Sequence, residues 1–221
     1  SGSLSAYLLG IYLFGILGVS WAIPVIIFFA SSVLFTKLNA RANKKPSAFS
    51  QPRNSWQVIA NSLAAVIFSV IYLISKDTFF VFLFSASVAA VTADTWASEI
   101  GPVFNRKCLS LADFKTGRAG ISGGVSLAGT LAALAGSFII AVLSYYIFFN
   151  DFNFRIILLI TLSGFFASFA DSLLGAFFEP VLLKKNYFSN KLLSSKEKLT
   201  PNDLVNILGS LSASLFFLLM W

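Results

Sequence analysis

Seven apolar runs, separated by three long basic loops and by short polar turns, leave this chain few folds to choose from. A segment of about 20 apolar residues in lipid has no water for its amides, so it closes its own hydrogen bonds as an α-helix. The runs cover about residues 4–19, 21–38, 54–75, 78–100, 121–149, 153–178 and 200–221, the first being short for a span. They predict an all-α integral membrane protein, a polytopic bundle of about seven transmembrane helices forming one domain over residues 4–221. A mean hydropathy of +0.83 with only 11% charged residues excludes an ordinary soluble domain. Ser1-Gly2-Ser3 reads as an expression remnant or a trimmed end and is set aside.

Positive charge orients the bundle. Loops 37–55, 101–119 and 179–200 hold fourteen of the sixteen Lys and Arg residues, leaving Lys76 and Arg155 on the other side. By the positive-inside rule the three loops, and the N-terminus with them, are expected in the cytoplasm. Mostly they are topology signals, so no nucleic-acid partner is expected.

Against this background two carboxylates stand out, Asp94 in Thr92-Ala93-Asp94-Thr95 and Asp171 in Ala170-Asp171-Ser172. A carboxylate at membrane depth is costly unless a cation, a partner or water compensates it, so it marks a functional site by default. At 1.5 Å per residue Asp94 lies about 10 Å from the helix end expected at Gly101. Asn54, Gln57 and Asn61 form a polar stripe at i, i+3, i+7 on the third run, and Asn202, Asp203 and Asn206 open the seventh, with Thr200 as N-cap and Pro201 at the first helical position. All are expected at the cytoplasmic end. The plainer reading makes Asp94 and Asp171 polar glue or salt-bridge partners of loop lysines, and makes Glu99 and Asp203 ordinary interfacial or first-turn acids. Two Ala-Asp-Ser/Thr copies at equivalent depth favour a site.

Glu99 follows Asp94 by five residues, about 140° around an ideal helix, so either the helix loosens before Pro102 or the two acids have different jobs. With no His and a single Cys, acid/base and metal chemistry fall to oxygen groups, which suit magnesium. The glycines of Gly120-Ile121-Ser122-Gly123-Gly124, preceded by Lys115 and Arg118, are expected to open the fifth helix, where free N–H groups and the helix dipole favour phosphate. Close helix packing explains the same glycines equally well. Trp56, Trp96 and Trp221 near span ends read as interfacial anchors.

Five segments together resemble a known membrane family: 53–61 (RNSWQVIAN), 92–101 (TADTWASEIG), 120–130 (GISGGVSLAGT), 170–176 (ADSLLGA) and 202–206 (NDLVN). The family contains transmembrane protein 19 and the phytyl-phosphate kinases of plants and cyanobacteria. The resemblance implies phosphotransferase activity: transfer of a phosphoryl group from a nucleoside triphosphate, with CTP expected, to a prenyl monophosphate such as phytyl phosphate, for tocopherol and prenylquinone synthesis. It implies a bacterial plasma, thylakoid or chloroplast membrane, with the active face cytoplasmic or stromal.

On that basis Asp94, Asp171, Glu99 and Asp203 are expected to hold Mg²⁺ or Mn²⁺, with Asp94, Asp171 and Glu99 as the catalytic carboxylates. Asn61, Lys115, Arg118, Ser122, Gly123, Gly124, Asn202 and Asn206 are expected to bind the substrate or nucleotide. The expected partners are the lipid bilayer, the prenyl monophosphate and the nucleotide; a homo-oligomer stays open. The competing readings are a prenol kinase, a CTP:lipid-phosphate cytidylyltransferase, and a cation-coupled transporter, since paired intramembrane acids suit a carrier too.

Overall fold

The computed structural model describes residues 2–43, 54–105, 107–118, 120–184 and 199–221. Helix α1 (Gly2–Gly10) runs into a π-helical segment (Ile11–Leu17), followed by α2 (Val19–Asn43), α3 (Ser55–Ser75) and α4 (Phe79–Phe104). Three short strands come next, β1 (Lys107–Ser110), β2 (Thr116–Arg118) and β3 (Gly124–Val125), and then α5 (Leu127–Phe149), α6 (Phe154–Lys184) and α7 (Pro201–Met220). Helices α2 to α7 are six candidate membrane spans, and Gly2–Leu17 is a shorter apolar helix. Each expected run is helical over most of its length, and the protein is a helical integral membrane protein.

Several boundaries differ from the expected ones. Helix α2 extends to Asn43, carrying Lys37 and Arg41 on the helix instead of in a loop. Helix α4 passes through Pro102 and stops at Phe104, because a proline in the last turn removes one amide donor without ending the helix at once. Asn54, expected in a polar stripe, is instead the N-cap of α3: its side chain accepts from the Gln57 amide at 2.8 Å, while Gln57 Oε1 accepts from the Asn54 amide at 3.2 Å.

The larger correction concerns residues 101–125. The expected loop and glycine-rich helix start form a small antiparallel sheet of order β2-β1-β3, with Cys108 opposite Gly117 and Ser110 opposite Gly124. Cys108 is buried between exposed Lys107 and Leu109, an alternation too short to show beside long apolar runs. At the β1–β2 turn Phe114 adopts φ +53°, and the Ser110 amide donates to the Lys115 carbonyl at 2.9 Å. Helix α5 starts only at Leu127, with Ser126 as N-cap accepting from the Gly129 amide at 3.2 Å.

Helix α4 forms the centre. From Val81 to Ala93 every residue but Phe82 is buried. Small side chains such as Ser85, Ala86, Ala89, Ala90 and Ala93 let neighbours approach closely, and the hydroxyls of Ser85, Ser87 and Thr92 are satisfied by carbonyls of their own helix at 2.7–2.8 Å. Trp96 is half-buried. It donates to Ser31 Oγ at 3.0 Å and stands over Gly136, where a Cβ would lie 3.0 Å from its ring, so it wedges α4 between α2 and α5 and is not an interfacial anchor.

Helices alternate in direction, which sorts their ends. Trp221 meets Phe79 edge-on and stacks on Phe217, and Arg155 donates to the Trp221 carbonyl at 3.2 Å, so the 76–78 turn, the 150–153 turn and the end of α7 share one end. The sheet and the start of α7 lie at the other. Thiols introduced at Asp77 and Asn150 should therefore label from one side of the membrane and a thiol at Thr116 from the other. Native Cys108 should give little background, because burial pushes its thiol pKa up. Thr116 labelling together with Asn150 would break this arrangement.

Candidate functional site

Four helices meet around a small cavity at the sheet-bearing end. Its walls are Asn61 of α3, Ala90, Val91 and Asp94 of α4, Ala167, Ser168 and Asp171 of α6, and Asn206, Gly209 and Ser210 of α7. The free volume is about 10 Å³, room for one water molecule or one ion. Asp94 and Asp171, 77 residues apart in sequence, thus line one space together with two carboxamides. The Asn206 side-chain N–H donates to Asn61 Oδ1 at 3.2 Å, tying α7 to α3 across the cavity.

Close packing positions Asp171. A Cβ built on Gly209 would stand 2.9 Å from Asp171 Cβ and 3.1 Å from its Cγ, so only glycine lets α7 lie against the carboxylate. Ser168 and Ser210 turn their hydroxyls back onto Phe165 and Ile207 carbonyls, at 2.9 and 3.0 Å, and do not compete for a ligand as donors.

The other two expected metal ligands are not among the residues that line the cavity. Helix α4 stays regular past Asp94, so Glu99 points away from it. Glu99 is 2% exposed, its two oxygens accepting from Thr36 Oγ1 at 2.6 Å and Asn39 Nδ2 at 2.9 Å of α2. Asp203, fully buried, accepts from the Thr200 amide and hydroxyl at 2.7 and 2.8 Å through Oδ2, closing the capping box at the start of α7. Its Oδ1 has no hydrogen-bond partner among the described residues. Among the described residues no three acidic or thiol side chains gather, so the expected four-carboxylate cluster is not formed there. The polar side chains that do line the cavity, besides two serines, are two carboxylates and two carboxamides, whose metal-binding atoms are oxygens. That set fits Mg²⁺ or Mn²⁺, which take one or two carboxylates and complete their shell with water and phosphate.

The glycine segment is near the cavity by a different route from the expected one. Gly123, at φ +71°, packs on α6, where a Cβ would fall 2.8 Å from Ala176 Cα; a Cβ on Gly175 would fall 2.8 Å from Ser122 Oγ. Gly175 follows Asp171 by one helical turn, so Ser122 and Gly123 sit one turn beyond the carboxylate. Gly124 is in β3, and its amide donates to the Ile121 carbonyl at 3.1 Å. These glycines precede α5 and do not open it, and a Cβ at Gly123, Gly124 or Gly175 would meet a neighbour at close range. Lys115 is exposed at the β1–β2 turn, the backbone of Arg118 is in β2, and Asn202 is half-buried in the first turn of α7. Among the described residues, Lys115 and Asn202 are not in the cavity wall, and the side chain of Arg118 lies outside the described residues.

Sequence reasoning missed Thr36, Asn39, Ser168, Gly209 and Ser210. Asn39 had a signal, a polar residue four past Phe35 on a helix that was expected to stop at 38; the others are unremarkable small residues.

Truncating Glu99 to Ala strands a buried donor on Asn39 and a half-buried one on Thr36 and should cost about 1–3 kcal/mol, while Gln should cost less. Gly209→Ala should cost about 1–3 kcal/mol by forcing α7 away from Asp171. Both are read as lowered melting temperature in detergent; unchanged melting would contradict the packing described.

The sequence profile of the integral membrane protein family DUF92 matches residues 1–214. An uncharacterized membrane protein of Methanocaldococcus jannaschii is 30% identical over 178 residues, covering 80% of this chain and 73% of that protein. An uncharacterized membrane protein of Synechocystis is 26% identical over 180 residues, covering 77% of this chain and 68% of its own. No solved structure matches. With a profile that runs through every helix lining the cavity, the chain belongs to the DUF92 family of integral membrane proteins.

Proposed function

We propose that this protein is a phosphotransferase that moves the terminal phosphoryl group of a nucleoside triphosphate, CTP by the resemblance to phytyl-phosphate kinases, onto a prenyl monophosphate. The observation that carries the reading is the meeting of Asp94 and Asp171 with Asn61 and Asn206 in one cavity, at the end of the bundle that bears the sheet. Placing that end in the cytoplasm or stroma follows from the positive-inside rule, and the nucleotide is on that side.

In this reading Asp94 and Asp171 hold the cation, which when bound neutralises the donor phosphates. Asn61 and Asn206 would offer N–H groups to phosphate oxygens as well as carbonyl oxygens, a double capacity a carboxylate lacks. An oxygen of the acceptor phosphate bonds to the terminal phosphorus, the bridging P–O bond breaks, and the nucleoside diphosphate leaves with that electron pair. The acceptor is already anionic and needs no general base, which agrees with a chain lacking His. Ser122 and Gly123, one turn beyond Asp171, border the space the donor phosphates would occupy.

A cation-coupled carrier is the second reading, and the single-ion volume of the cavity favours it. Liposomes separate the two: transport without nucleotide turnover supports the carrier. Release of pyrophosphate instead of nucleoside diphosphate would assign a cytidylyltransferase.

Asp94→Asn and Asp171→Asn should each lower turnover about a thousandfold, since Asn keeps the shape but loses the charge that holds a divalent cation. Melting temperature should hold or rise, because a neutral amide is cheaper at that depth. Turnover should also require Mg²⁺ or Mn²⁺ and stop with chelator. Wild-type turnover per folded molecule in both variants would remove the reading's centre.

A further inference from the structure

The cavity holds one ion or one water, so a phosphate several times that size cannot be accommodated while its walls stay closed. Three of the four walls are firmly joined. Helix α4 is buried at the centre, and α6 lies on it so closely that a Cβ on Gly164 would fall 2.8 Å from Ala89 Cβ. Helix α7 lies as closely on α6 through Gly209 and Asp171. The contact between α3 and α7 differs: at the cavity it is closed by one neutral hydrogen bond, Asn206 Nδ2 to Asn61 Oδ1 at 3.2 Å, the only side-chain bond between these helices among the described residues. Both amides are only half-buried. On the faces turned away from this pair, α3 presents Ile59 and Ile67 outward at 39% and 37% exposure, and α7 presents Leu208 at 52%.

A neutral amide pair is well suited to exchange. Separating it costs roughly what an ordinary hydrogen bond contributes, and each freed NH₂ can then donate to an anion, a charge-assisted bond stronger than the one lost. The tail of a single-chain lipid, meanwhile, stays in the bilayer against outward aliphatic side chains.

We propose that the acceptor binds at the α3–α7 seam: the monophosphate head of a membrane-resident, single-chain lipid enters laterally and replaces the Asn61–Asn206 bond, its tail remaining in the bilayer outside the bundle. This rests on the phosphotransferase reading for its chemistry but fixes where and how the lipid arrives. The larger apolar recess of about 570 Å³ between Gly2–Leu17 and α2 is the competing place, yet Tyr7 is the only lining residue there with a polar side-chain group.

The test uses the full chain in nanodiscs and two photoreactive probes, a long-chain alkyl monophosphate and the matching alcohol, each with its diazirine beside the head group. Adducts are mapped by peptide mass spectrometry. The phosphate probe should label residues 55–75 and 201–220 about tenfold more than the alcohol does, and Asn206→Asp, which sets a like charge against the phosphate, should remove that excess. Asn61→Asp, on the opposite helix, should do the same and covers a folding failure of the first variant. Labelling concentrated on Gly2–Leu17 and α2, equal labelling by both probes, or an excess that survives both variants overturns the seam. The two failures are separable: seam labelling with Asp94→Asn and Asp171→Asn still turning over overturns the phosphotransferase reading alone, and loss of turnover in those variants with labelling elsewhere overturns the seam alone.

Discussion

Two carboxylates within a bundle of lipid-spanning helices are the constraint on which the rest depends. Neither can sit against acyl chains, so the protein turns both, half-buried, toward a space between helices, and that demands that helices come close. The run of alanines and serines from Ser85 to Ala93 lets α4 be surrounded, and Gly164 and Gly209 let α6 and α7 close in. Packing by small residues is the usual adhesive between helices in lipid, where apolar side chains gain little by leaving the hydrocarbon for each other. The glycines therefore serve the site by permitting contact, with no need for them to touch a ligand.

The acids divide into two kinds of work. Asp94 and Asp171 face a shared cavity, whereas Glu99 and Asp203 hold helices in place. Glu99 joins α4 to α2 through Thr36 and Asn39, and Asp203 closes a capping box with Thr200. Both oxygens of Glu99 and one of Asp203 are met by neighbouring hydroxyls and amides, a structural use of charge, while Asp94 and Asp171 line one space between four helices. The segment that joins the small sheet to α5 packs on α6, with Ser122 and Gly123 one turn beyond Asp171.

Much was legible in the sequence because hydrocarbon imposes simple rules. Run length foretold each helix, and Thr200-Pro201 foretold the start of α7 by its capping chemistry. What stayed hidden was short or non-local. A three-stranded sheet of nine residues carries too little alternation to register, and the glycines before α5 looked like a helix start because glycine is common in both settings. Trp96 looked like an interfacial anchor because its depth was judged along one helix, without Gly136 opposite it.

Composition and pattern alone determined that the chain spans a membrane as a helical bundle, and that its polar residues gather toward one end of the spans. The physical reason is that backbone satisfaction and charge placement are each decided segment by segment. Which carboxylates face one another was decided only by tertiary structure, since the rotation of a helix about its axis depends on the small residues of its neighbours. That is why Asp171 meets Asp94 across 77 residues of chain while Glu99, five residues away, does not.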